Sequence, residues 1–146
     1  MAATIASLHY IALGLGFSGL LLRQYALKAS FSDLRVKPIF LGDNLWALAA
    51  LLWLTTGLAR AFGGLAKGSD YYLSNHWFYA KMTLFLCVFL LEIYPIVMLM
   101  KWRAQKKQVA NPADVVVARK IYKIGWFELV LTIGIIFLAS KMARGM

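Results

Sequence analysis

An all-α, integral membrane four-helix bundle with four transmembrane helices is the fold class the sequence predicts. Three observations predict it. Of the 146 residues, 62% are hydrophobic. The apolar residues fall into four continuous runs, each near the ~20 residues that cross ~30 Å of hydrocarbon as a helix. Most Lys and Arg residues lie in the connections between the runs. A β-barrel does not suit the pattern, because the runs do not alternate with period two and four strands cannot close a barrel. One domain, residues 1–146, uses nearly the whole chain, and no second domain fits beside it.

The first span covers about residues 4–22. Met1-Ala2-Ala3-Thr4 carries no Lys or Arg and the apolar run passes Leu22 without a cleavage site, so it reads as a retained span and not a signal peptide. The second covers about residues 38–61, with Pro38 suited to a first helical turn. The third covers about residues 77–100, capped by Asn75 and bent near Pro95, whose ring removes a backbone hydrogen bond. The fourth covers about residues 121–139. Its helix begins earlier, because Asn111-Pro112-Ala113-Asp114 supplies an N-cap, a Pro at N1 and an acid at N3.

The net charge of +10 invites a nucleic-acid reading. Its distribution argues for lipid instead. The connections after spans one and three, from Arg23 to Lys37 and from Lys101 to Lys123, hold eleven Lys and Arg, against four (Arg60, Lys67, Lys141 and Arg144) on the opposite side. The positive-inside rule then puts both termini away from the cytoplasm. Tyr71, Tyr72, Trp77 and Tyr79 outside, and Tyr25, Trp102, Tyr122 and Trp126 inside, form the interfacial belts. The aromatic Tyr71-Tyr72-Leu73-Ser74-Asn75 stretch is expected to fold back on the outer mouth as a lid.

Ionisable residues inside apolar runs are costly and point to function or to interhelical pairing. Two tiers emerge. In the outer one, His9 and Lys81 lie at matching depth, each about one turn inside its helix, with His76 and Arg60 at the boundary. Imidazole ligates haem iron and copper, so His9 is the candidate metal ligand and Lys81, His76 and Arg60 complete a cofactor site. The alternative is a hydrogen-bonded His9, a snorkelling Lys81 and an interfacial His76. The inner tier holds Asp43, Glu92 and Glu128, half of the six acidic residues, with Arg23 as counter-ion. It reads either as a proton path or as a set of interhelical ion pairs. Lys81 and Glu92, eleven positions apart, share a face of helix three, and His9, Gly16 and Arg23 share a face of helix one.

Gly14-Leu15-Gly16-Phe17-Ser18-Gly19 fits the dinucleotide fingerprint, but lies inside a span with no preceding strand, so its small residues serve close helix approach. Gly14, Ser18 and Gly19 also suit self-association, as a homo-oligomer or within a larger membrane complex. The single Cys87 and the six methionines read as packing residues.

The Lys67-Gly-x-x-Tyr71-Tyr72-x-x-Asn75-x-x-Phe78-x-x-Lys81 stretch and the closing Met142-Ala143-Arg144-Gly145 resemble a bacterial family of four-span membrane proteins named only as a domain of unknown function. The resemblance covers nearly the whole chain and implies a bacterial inner membrane location, in which the charge asymmetry puts both termini on the periplasmic side. More distantly, Leu8-His9 and Ala80-Lys81 are similar to the haem-J type membrane protoporphyrinogen oxidase and to copper-resistance D membrane domains. That similarity implies haem b as cofactor and His9 and Lys81 as residues to test. The leading expectation is a b-type haem-binding or haem-related redox protein of the inner membrane, with a possible oxidoreductase activity. The alternatives are a proton-linked carrier component using Asp43, Glu92 and Glu128, and a non-catalytic subunit of a larger complex.

Overall fold

The structure, a computed structural model, describes residues 1–29, 36–64, 67–107 and 111–144. They form α1 (Ala2–Ala29), α2 (Val36–Phe62), α3 (Ser69–Ser74), α4 (His76–Ala104) and α5 (Pro112–Ala143), with no strand among the described residues. Helices α1, α2, α4 and α5 are each long and apolar enough to cross a membrane. Large apolar side chains such as Leu51, Phe89, Phe127, Val130 and Phe137 are exposed along them, the outward face of a bundle solvated by lipid.

All four helices outrun the spans that hydropathy delimits. α1 continues past residue 22 through Arg23, Gln24 and Lys28, because Arg23 and Gln24 are buried in the bundle instead of ending the helix in water. α5 starts at Pro112 behind a capping box: the Asp114 amide donates to Asn111 Oδ1 at 3.0 Å and the Asn111 amide donates to Asp114 Oδ2 at 2.9 Å. Asn75 caps α4, its Oδ1 accepting from the Trp77 amide at 2.9 Å.

α1 and α2 form one antiparallel hairpin and α4 and α5 another. In the first, the backbones nearly touch. A Cβ added to Gly42 would lie 2.5 Å from Arg23 N and 2.7 Å from Gly19 O, and one added to Gly19 would lie 2.7 Å from Trp46 N. Gly16 packs likewise against Ala49 and Trp53. Two of the glycines read as helix-approach residues thus face α2 within the chain, whereas nothing lies within 4 Å of a Cβ on Gly14. The hairpins meet along α1 and α5, where Gln24 lies flat on Gly125 and donates to Tyr122 O at 2.6 Å.

The short helix α3 packs across the end of the bundle nearer His9. Tyr72 is buried with Ala61, Phe78 and Met142, and the Tyr71 hydroxyl donates to Met142 O at 2.7 Å. At the opposite end, Leu27, Val36, Ile39, Leu99, Trp102 and Ile121 close an apolar core beneath the polar cluster described next.

Candidate functional site

Arg23 is fully buried, and each of the other three long helices turns one carboxylate toward it. Asp43 comes from α2, eight residues into that helix and one after Gly42, whose missing side chain lets α1 come close. Glu92 comes from α4, three residues before the buried Pro95. Glu128 comes from α5 and is also fully buried. The guanidinium meets Glu92 in fork geometry, Nη1 to Oε1 at 2.5 Å and Nη2 to Oε2 at 3.0 Å. Nη1 also donates to Asp43 Oδ1 at 3.2 Å and Nη2 to Glu128 Oε2 at 2.7 Å.

A second arginine closes the cluster on the open side. Arg103, at the end of α4, donates through Nη2 to Asp43 Oδ2 at 2.7 Å and to Asn44 Oδ1 at 3.0 Å. Sequence reading had assigned Arg103 to a cytoplasmic connection. Its signal was available: it lies eleven positions after Glu92, and so on the same face of α4. Arg23, counted among the loop cations, belongs inside the bundle, which leaves the charge asymmetry between the two sides in place but reduced by one.

The cluster is unbalanced in charge and in hydrogen bonds. Among the described residues two guanidinium cations face three carboxylates. Arg23 Nε and Glu128 Oε1 are buried without a hydrogen-bond partner among the described residues. In a low-dielectric interior an uncompensated charge is expensive, and a proton is the smallest ion that compensates it. Glu92 and Glu128 are held by the same guanidinium, so one proton shared between them would neutralise the excess and leave both in contact with Arg23.

The other tier has a different character. His9 is half-buried, and its Nδ1 lies 2.8 Å from Thr56 Oγ1. The Thr56 hydroxyl donates to Leu52 O, so it accepts from His9 and puts the proton on Nδ1. Thr56 is a site residue that sequence reading missed, having no signal beyond its place on α2. Lys81 is half-buried, with Nζ 5.4 Å above the Phe78 ring. The charges of Arg60 and Lys81 both reach the His9 ring. His76 starts α4 at an exposed position, its ring 4.9 Å from that of Trp77. The structure thus brings His9, Lys81 and Arg60 into one neighbourhood, while His76 stands exposed beside Trp77. Among the described residues no three His, Cys, Asp or Glu side chains are disposed to hold a metal ion.

No curated protein and no solved structure matches the chain. A family described as predicted membrane protein, DUF2214, matches it over residues 1–146, in keeping with four apolar helices; the chain belongs to that family.

Proposed function

We propose that the protein is a small proton-linked component of a bacterial inner membrane, working through the cluster of Arg23, Asp43, Glu92 and Glu128. The observation that carries this reading is the buried excess of carboxylate over guanidinium at the contact between the two hairpins. Arg23 belongs to one hairpin, and Glu92 and Glu128 belong to the other. Adding a proton to the glutamate pair weakens their hold on Arg23, and removing it tightens that hold. Protonation is thereby coupled to how closely α1 packs on α5, the bistable element such coupling needs.

The experiment is proton uptake into reconstituted vesicles under an imposed membrane potential, followed with an internal pH dye. The protein should raise uptake above that of empty vesicles. Glu128→Gln should abolish the increment, while Asp70→Asn, an exposed acid on α3, should leave it intact. Uptake equal in wild type and Glu128→Gln would remove the cluster from the path.

In this reading both termini face the periplasm, so alkaline phosphatase fused to the C-terminal end should be active; an inactive fusion would reverse the orientation.

A second reading, a b-type haem at the outer tier, draws on one observation. The Thr56 contact fixes the His9 ring and leaves Nε2 as the nitrogen with a free lone pair, as the partners of metal-bound histidines do. The donor set fits a single axial ligand, with Lys81 as a cation for an acidic substituent of the macrocycle. Bound haem would supply one-electron chemistry there. A Soret band lost in His9→Ala would establish this reading, and colourless protein from haem-replete cells would end it. Either reading is compatible with self-association or with a place in a larger complex, which sedimentation in detergent would distinguish.

A further inference from the structure

At the end of the bundle remote from His9, the contact between α1 and α5 opens into a cleft of about 270 Å³ lined by Leu21, Gln24, Tyr25, Lys28, Tyr122 and Trp126. Its chemistry is specific. Gln24 is 3% exposed, its Nε2 is committed to Tyr122 O, and its Oε1 is buried without a donor among the described residues. Gly125 packs against Oε1 on the α5 side, where an added Cβ would come within 2.6 Å, and Gln24 itself lines the cleft. Tyr122 and Trp126 stand edge to face at 6.2 Å and form an aromatic wall with the exposed Tyr25. Lys28, in the last turn of α1, stands exposed at the rim, and no carboxylate pairs with it among the described residues. Leu21, 45% exposed and about two turns deeper than Lys28, continues the floor toward the hydrocarbon.

We propose that this cleft binds the headgroup of an anionic phospholipid bearing a free hydroxyl, with its phosphate at Lys28, its hydroxyl donating to Gln24 Oε1 and its acyl chains running past Leu21. Each part of the cleft matches one part of such a lipid. The cation matches the phosphate, the unsatisfied acceptor matches the hydroxyl, the aromatic wall lies at the depth of headgroups, and the leucine meets the chains. A soluble phosphate ester would use the cation and the acceptor but leave the aromatic and apolar surfaces uncovered. The occupant would bridge α1 and α5, the contact that Arg23 and Glu128 also hold.

The test is native mass spectrometry and thermal unfolding of delipidated protein in mild detergent. Phosphatidylglycerol, phosphatidylmethanol (anionic, without the hydroxyl), phosphatidylcholine and free glycerol 3-phosphate are added in parallel. The expected result is one retained phosphatidylglycerol and a raised unfolding temperature, a smaller effect with phosphatidylmethanol, and none with phosphatidylcholine or glycerol 3-phosphate. Lys28→Gln should weaken phosphatidylglycerol binding roughly fivefold, the worth of one interfacial cation. Lys37→Gln, which removes an exposed lysine near the start of α2, should leave it unchanged. Equal losses in the two variants, or equal binding of phosphatidylglycerol and phosphatidylcholine, would overturn the site. Equal effects of phosphatidylglycerol and phosphatidylmethanol would overturn the role of Gln24, and an equal effect of glycerol 3-phosphate would overturn the lipid as occupant.

Discussion

Replacing Arg23 by glutamine is expected to destabilise the folded bundle by about 3–5 kcal/mol, the cost of breaking a buried ion pair by removing one partner. Arg23 is fully buried and touches three carboxylates, so the variant leaves Asp43, Glu92 and Glu128 facing one another with Arg103 alone, among the described residues, for compensation. The loss should appear as a lower denaturation midpoint in detergent and lower yield from the membrane. Charge explains it, and charge should relieve it. Adding Glu92→Gln and Glu128→Gln to the Arg23→Gln background replaces a buried anionic cluster with amides that hydrogen-bond one another, and should restore most of the loss. Glu128→Gln alone should cost much less than Arg23→Gln, because it removes the excess negative charge and keeps the fork between Arg23 and Glu92. Equal costs for the two single variants would mean that all three carboxylates are ionised and all needed.

The second large effect concerns backbone contact. Gly42→Ala is expected to cost about 1–3 kcal/mol, as overpacking does in a tight interface. The new methyl carbon would sit 2.5 Å from Arg23 N and 2.7 Å from Gly19 O, both main-chain atoms that cannot rotate away. α1 must retreat, and Arg23 moves with it, so Gly42→Ala should also lower proton uptake although it touches no carboxylate. Gly14→Ala is the control: nothing lies within 4 Å of its Cβ, and a helix favours Ala over Gly. It should be neutral or slightly stabilising in the same denaturation assay. A Gly42→Ala protein as stable as wild type would show that α1 and α2 do not pack this closely.

The fold was legible because the bilayer leaves few choices. Four apolar runs of spanning length admit only a helical bundle, and the caps at Asn75 and Asn111 are local signals whose geometry the flanking residues determine. Helix ends were less legible. Hydropathy stops α1 at the first polar residues, but Arg23 and Gln24 are polar and buried, and burial depends on partners that lie 20 to 105 positions away in sequence. For the same reason Arg103 looked like a loop cation. The depth of Asp43, Glu92, Glu128 and Arg23 could be read by counting turns, whereas their convergence on one guanidinium depends on which helices are neighbours. The glycines of α1 announce a close approach without naming the partner. Gly42, the other half of that contact, carries no mark that separates it from any other glycine in a span.

An exchangeable proton shared by Glu92 and Glu128, as proposed above, is read directly by infrared spectroscopy of the purified protein. The expected result is a carbonyl band from a protonated carboxylic acid that moves with ¹³C-glutamate labelling and is absent from both Glu92→Gln and Glu128→Gln. Carboxylate bands alone at every pH at which the protein stays folded, with no carboxylic-acid band in the wild type, would rule that proton out and would make the cluster a fixed set of ion pairs.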